Sequence, residues 1–304
     1  MLFSQSMEKS SYSKLPTEQA NPRSKNIDRV SIEKIISIIN QEDKQVPKAV
    51  AKAKPQIART VKLIVRSLKS GGRIFFTGAG TSGRLGILEA AECPPTFGTS
   101  PSLIQGFIAG GKKAVFRSIE GAEDDEKKAV SIFRKKLSSQ DVLIGIAASG
   151  ITPFVCGALK AARAKKASSI LISCNASSPM KRRADCLIAI NVGPEVITGS
   201  TRLKAGTATK LVLNTLTVAS MIQIGKVYKN WMVDVQPKNK KLEARALRLI
   251  ERLGSVDSKK ALLCFEKAKR NVKLAIIMAK KNWNLSLAEK KLNEHSGFLR
   301  KLLN

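Results

Sequence analysis

Apolar and polar positions change period twice along this chain. From Asn26, the residues Ile27, Val30, Ile32, Ile35, Ile36 and Ile39 recur at helical spacing on one side. A longer helical stripe follows over about residues 47–70, through Val50, Ile57, Val61, Ile64, Val65 and Leu68. Pro55 is placed to kink it and Gly71-Gly72 to end it. Short continuous apolar runs then take over: RIFFT at 73–77, SLIQGFIA at 102–109, DVLIGIAA at 141–148, SSILISC at 168–174 and DCLIAINV at 185–192. Each has the length of a strand buried on both faces, and helical stretches separate them at about 83–92, 124–137, 153–165 and 200–225. The pattern predicts an α/β fold, a parallel five-stranded sheet with helices on both faces. Beyond about residue 240 the strand-like runs stop, and only short helices are expected. The expected division is a flexible N-terminal segment over 1–26, a sheet-bearing domain over 27–240 and a small C-terminal helical domain over 241–304.

Composition narrows the classes. With 304 residues, 43% of them hydrophobic, the chain can bury a large core. No apolar run reaches the ~18 residues of a membrane helix. The start, MLFSQSMEKSSYSK, lacks the apolar stretch of a signal peptide, so a cytoplasmic protein without a membrane partner is expected. Cys93, Cys156, Cys174, Cys186 and Cys264 are odd in number and form no CxxC pair, which speaks against a disulfide framework or a metal set. One histidine, His295, cannot build a histidine-based zinc site or a histidine relay. The net charge of +31 raises the question of a nucleic-acid partner. The excess is spread along the chain, aromatics are 5%, and no nucleic-acid-reading motif is present, so that partner is disfavoured.

Five stretches could carry chemistry. Gly78-Ala79-Gly80-Thr81-Ser82-Gly83-Arg84 follows a predicted strand and opens a helix. Formally it is G-x-G-x-x-G, but the next strand ends in Ala109-Gly110-Gly111, without the acid that would hold a ribose. What survives is an anion site: free N–H groups at a helix start, with the Thr81 and Ser82 hydroxyls beside them. Against a merely structural turn, the strand, the glycines, the hydroxyls and Arg84 agree on phosphate. Ala148-Ser149-Gly150-Ile151-Thr152-Pro153 repeats the arrangement; alone it reads as helix capping, and beside the first turn it suggests a shared crevice. Glu92 shares a helix face with Glu89, and Pro94 is expected to stop that helix just after it. A carboxylate there is disfavoured by the helix dipole, which suits a proton donor, although an exposed helix-end acid is the blander account. Residues 120–126 hold five acids, among which composition does not choose a general base. The loop 193–207, with Glu195, Arg202 and Lys204, reads as a substrate-side wall or a subunit contact.

At these residues the chain resembles the N-acetylmuramic acid 6-phosphate etherases, members of the sugar-isomerase (SIS) superfamily. The segments ANPRSKNIDRVS, TGAGTSGRLGILEAAECPPTFG, EGAEDD, GIAASG, TGSTRLKAGTATKLVLN and NWMVDV carry the likeness, which runs from about Asn21 to the end. The resemblance implies an SIS-type, flavodoxin-like three-layer sandwich. It implies a lyase that cleaves the lactyl ether of N-acetylmuramic acid 6-phosphate, giving N-acetylglucosamine 6-phosphate and D-lactate, in amino-sugar catabolism and peptidoglycan recycling. It implies no metal and no cofactor. The family's proton donor maps onto Glu92 and its second catalytic glutamate onto Glu123. Gly80, Thr81, Ser82, Ser149 and Thr152 would hold the phosphosugar, Glu195 would line the site, and the chain would be a homodimer. Related regulatory proteins use the same fold to sense sugar phosphates without turnover, the alternative reading. Ile151 stands where the family usually has arginine, Glu89 where it has aspartate, Ala176 where it has proline and Trp231 where leucine is commoner.

Overall fold

The computed structural model describes residues 13, 15–237 and 239–303. After three short 3-10 turns at Pro16–Glu18, Pro22–Ser24 and Ile27–Arg29, the helices are α1 (Ile32–Asp43), α2 (Gln45–Lys52) and α3 (Lys54–Lys69). Then come β1 (Ile74–Gly78), α4 (Gly80–Phe97), β2 (Ile104–Ile108), α5 (Lys113–Phe116), α6 (Glu126–Lys136), β3 (Val142–Ile146), α7 (Pro153–Ala164), β4 (Ser168–Ser173), β5 (Cys186–Ala189) and α8 (Lys204–Gln223). The chain continues with α9 (Lys240–Gly254), α10 (Ser258–Lys267), α11 (Val272–Lys281), α12 (Leu285–Glu294) and α13 (Arg300–Leu303). All five expected strands are present, and they form one parallel sheet in the order β2-β1-β3-β4-β5. The order reverses between β1 and β3, the point where open parallel sheets bind ligands outside the strand carboxyl ends.

Alternate side chains of the central strands leave on opposite faces. Phe75, Leu143 and Leu171 pack in one cluster with Phe133 of α6 and Phe154, Val155 and Leu159 of α7. On the other face, Gly86 of α4 lies so close to Phe76 that an added Cβ would be 2.9 Å from the Phe76 Cβ. The sheet edge is fixed by Asp141. Its carboxylate, 1% exposed, accepts from the Arg73 N–H at 2.8 Å, the Arg73 guanidinium at 2.8 and 3.2 Å, and the Ser138 N–H and hydroxyl at 2.8 and 3.0 Å. Burial pushes that carboxyl upward, and Arg73 and Ser138 together hold it below the usual carboxylate range.

Two local expectations differ from the structure. The helix read over 47–70 is two helices meeting at Ala53, because Pro55 sits in the first turn of α3, where its missing N–H costs nothing. Helix α4 does not end at Glu92; it continues through Pro94 and Pro95 to Phe97, with the Thr96 hydroxyl donating to the Glu92 carbonyl at 2.9 Å and the Gly98 N–H to the Pro94 carbonyl at 3.0 Å. Glu92 therefore stands five residues before the helix end. The isoleucine stripe of α1 points outward: Ile32, Ile36 and Ile39 are 71%, 53% and 39% exposed.

The chain divides into two compact units. One comprises the described residues up to Ala90 with Leu103–Leu216; the other comprises Ala91–Ser102 and the described residues from Thr217. The boundary expected at residue 240 thus falls inside the second unit. That unit has its own core around Leu249, Ile250, Phe265, Ile276 and Ile277. Within it the buried Lys273 donates to Asp234 at 2.6 Å and to the Gly225 and Gly297 carbonyls at 3.1 Å. Among the described residues no helix is long and apolar enough to cross a membrane.

Candidate functional site

The first turn is shaped by close packing. A Cβ on Gly83 would stand 2.5 Å from the Ile108 side chain and 2.6 Å from the Gly78 carbonyl, so only glycine lets α4 start this near β1 and β2. The Gly83 N–H is taken by the Ala79 carbonyl at 3.3 Å. The N–H groups just before it belong to a helix start, where no helical acceptor exists, and their partial positive charge faces outward with the Ser82 hydroxyl. Arg84 is not part of this cradle: its Nε donates to the Val115 carbonyl at 2.8 Å and ties α4 to α5.

The second turn lies at the carboxyl end of β3, which pairs with β1 in register Gly78 to Ile146. Gly150 has φ +75°, and a Cβ there would be 2.6 Å from the Ser178 Cβ. Asn175 fixes the turn by donating from Nδ2 to the Ser149 carbonyl at 3.0 Å. Pro153 occupies the first turn of α7 as expected, but Thr152 makes no side-chain cap hydrogen bond. The capping account of Thr152 fails, and its hydroxyl is left for the cavity.

Ser82, Ser149, Ile151 and Thr152 line one cavity of about 250 Å³, joined by Thr17 and Glu18 from the N-terminal turns, by Gly199 and Thr201, and by Glu123 and Asp124. Gly80, Arg84, Glu120 and Glu123 line a neighbouring cavity of about 200 Å³, so Glu123 borders both. The acids that composition could not rank now separate. Asp125 caps α6, accepting from the Lys128 N–H at 2.8 Å, and Glu126 pairs with Lys160. Glu123 and Asp124 are exposed on a 3-10 turn set by Gly121, whose φ is +69°.

The other expected site residues lie elsewhere. Thr81 is half-buried on the first turn of α4, its methyl 3.6 Å from where a Gly206 Cβ would stand. Glu195 is 1% exposed and turned inward, both oxygens accepting from the first turn of α8: the Lys204 N–H at 3.0 Å and the Ala205 N–H at 2.9 Å. Burial pushes its carboxyl above the ordinary range, against the pull of those two N–H groups and of the Lys204 charge. It is a helix cap, not a cavity wall. Glu92 is exposed on the part of α4 that belongs to the second unit, whereas Glu123 belongs to the first. Glu89 is buried and pairs with Lys210 at 2.6 Å. Among the described residues no group of histidine, cysteine, aspartate and glutamate could hold a metal ion. Burial pushes the Cys174 thiol up to about 12, with the Glu195 charge adding to it, so it is no nucleophile at neutral pH.

Sequence reading missed the N-terminal turns. Residues 1–26 were expected to lie loosely on the surface; 1–12 and 14 fall outside the described residues, but from Leu15 the chain is held down. Thr17 is 4% exposed, and its carbonyl accepts from the Gly199 N–H at 3.2 Å. Asn21 donates from Nδ2 to Glu42 at 2.8 Å and to the Pro194 carbonyl at 3.1 Å, and the Ser24 hydroxyl donates to the Val196 carbonyl at 2.8 Å. Beneath them Glu42, 1% exposed, pairs with the fully buried Lys204 at 2.5 Å and with Arg23.

Known proteins carry the same pattern. The model of the glucokinase regulatory protein N-terminal SIS domain matches residues 56–163, and that of the SIS domain matches residues 125–219. The chain is similar to an N-acetylmuramic acid 6-phosphate etherase of Actinobacillus pleuropneumoniae serotype 5b, 49% identical over 292 residues that cover 96% of each chain. It is 50% identical over 291 residues to an enzyme of the same name from Bacillus cytotoxicus, covering 95% of this chain and 99% of the other. Among solved structures, a phosphoheptose isomerase from Francisella tularensis aligns with a TM-score of 0.48 at 15% identity, over 64% of this chain and 99% of that one.

Proposed function

The chain belongs to the N-acetylmuramic acid 6-phosphate etherase family, and from that premise we propose which of its residues carry the reaction. The enzyme cleaves the lactyl ether of N-acetylmuramic acid 6-phosphate by eliminating lactate and adding water, giving N-acetylglucosamine 6-phosphate and D-lactate. In this reading the helix-start N–H groups of the first turn and the hydroxyls of Ser82, Ser149 and Thr152 hold the 6-phosphate. With the ring open, the C1 aldehyde acidifies the C2 proton, and Glu123 takes it. The electron pair forms the C2–C3 double bond, the C3–O bond breaks, and Glu92 protonates the departing lactyl oxygen. Water then adds its hydroxyl to C3 and a proton to C2. An ether oxygen is a poor leaving group, so the proton donor is needed as much as the base, each being worth about 10²–10⁴-fold. Glu195 serves the site by fixing the 195–205 loop, and the protein works in the cytoplasm.

The observation that supports this reading is the single cavity into which two strand–glycine–hydroxyl–helix turns open beside Glu123. Purified protein incubated with N-acetylmuramic acid 6-phosphate is expected to release D-lactate stoichiometrically with N-acetylglucosamine 6-phosphate; no lactate at high enzyme concentration sinks the reading.

We propose further that the protein acts as a homodimer through α1. Its stripe of Ile32, Ile36 and Ile39 is exposed, and the helix exposes one lysine, Lys34, and two acids, Glu33 and Asp43, in a chain of net charge +31. Such a face lets two cationic molecules approach at low electrostatic cost. Sedimentation equilibrium is expected to give a dimer for the wild type and a monomer for Ile36→Glu; a dimer unaffected by that substitution moves the interface elsewhere.

A further inference from the structure

The cavity lining holds two kinds of group. At the carboxyl ends of β1 and β3 stand donors: helix-start N–H groups and the hydroxyls of Ser82, Ser149 and Thr152. The same lining carries three carboxylates, Glu18, Glu123 and Asp124. The chain holds 54 lysines and arginines against 23 acids. Even so, among the described residues no cation comes within 4.0 Å of any of these three carboxylates. Among the described residues Glu18 accepts from the Thr17 hydroxyl alone, at 3.3 Å. Unpaired carboxylates in a cavity lining repel a phosphate and a lactyl carboxylate. They suit the parts of a sugar that bear protons: its hydroxyls.

Glu18 differs from the other two in how it arrives. It stands on the turn Pro16–Glu18, whose carbonyl at Thr17 is docked on Gly199, and its Oε2 lies 3.3 Å from where a Gly199 Cβ would stand. The next turn, Pro22–Ser24, is tied by Asn21, Arg23 and Ser24 to Glu42 and to the 194–196 loop. Burying Lys204 and Glu42 is expensive, and what the pair secures is the strap that carries Glu18. We propose that Glu18 is a substrate-binding residue whose carboxylate accepts a hydrogen bond from a hydroxyl of the bound sugar. The inference rests on the reading of this cavity as the phosphosugar site. The bond forms with the bound sugar and persists through the reaction, so its loss weakens binding without slowing the chemical step.

The test is the D-lactate assay on Glu18→Ala and Glu18→Gln, with inorganic phosphate as a competitive inhibitor that fills only the anion cradle. Removing a charged acceptor is expected to raise KM about 10- to 100-fold, with kcat nearly unchanged. Glu18→Gln, which keeps a carbonyl acceptor, is expected to recover part of that loss. The inhibition constant of phosphate should not move in either variant, but should rise in Ser149→Ala. Wild-type KM in Glu18→Ala overturns the proposal. A phosphate constant that rises in parallel with KM overturns it too, because the strap would then only support the cradle. If the wild type releases no lactate, the reaction assigned above is what fails. Calorimetry with N-acetylglucosamine 6-phosphate then decides on Glu18: weaker binding in Glu18→Ala upholds its role and equal binding refutes it.

Discussion

Glu123→Gln is expected to lower lactate release by about 10²–10⁴-fold while leaving the fold and the affinity for inorganic phosphate intact. The glutamate is exposed on a turn whose geometry is set by Gly121, so the amide substitutes without packing cost. What is lost is the electron pair that takes the C2 proton. Glu92→Gln is expected to fall as far for a different reason: the base still works, but the leaving oxygen has no proton. The two are separable in deuterated water. Glu92→Gln should still exchange the C2 hydrogen of N-acetylglucosamine 6-phosphate, whereas Glu123→Gln should not. Full activity in either variant removes that residue from its role. Exchange retained in Glu123→Gln would shift the base to Asp124, which lines the same cavity.

The parts legible in the sequence are those in which local pattern and burial agree. The five strands are continuous apolar runs because helices cover both faces of the sheet, and each glycine turn is announced by the strand before it and the helix after it. Periodicity shows which side of α1 is apolar but not what covers it, and Ile32, Ile36 and Ile39 face outward. The rule that proline ends a helix failed at Pro94 because Thr96 and Gly98 supply donors to the last turn. Glu195 sits in a hydroxyl-rich loop that looks like a wall, and only the fold shows the start of α8 taking both its oxygens. The strap was the least visible element. Residues 15–24 are polar and aperiodic, and they are held by Glu42, whose buried partner Lys204 lies 162 residues further along the chain. Polar residues buried by long-range pairing leave no periodic trace in a sequence.

That pair carries the largest stability effect expected here. Glu42→Ala leaves the fully buried Lys204 ammonium without its ion-pair partner, which costs about 3–5 kcal/mol, read as a lower urea midpoint at unchanged slope. The loss belongs to the orphaned charge rather than to the pair, so Glu42→Leu combined with Lys204→Met should recover most of it. Recovery of stability should not restore substrate affinity, because Asn21 and Arg23 have still lost the carboxylate that holds the strap. The pH dependence has a definite sign. Burial pushes the Glu42 carboxyl up, but Arg23, Lys204 and Asn21 together hold it below its ordinary value, as Arg73 and Ser138 hold Asp141. A carboxylate depressed in the folded state contributes stability that is complete above its unfolded pKa of about 4 and is lost as pH falls through the folded value. The urea midpoint should therefore be insensitive to these two groups between pH 7 and about pH 5 and should fall below about pH 4. In Asp141→Asn that acid limb should be shallower, and an unchanged limb would mean that other carboxylates govern acid unfolding.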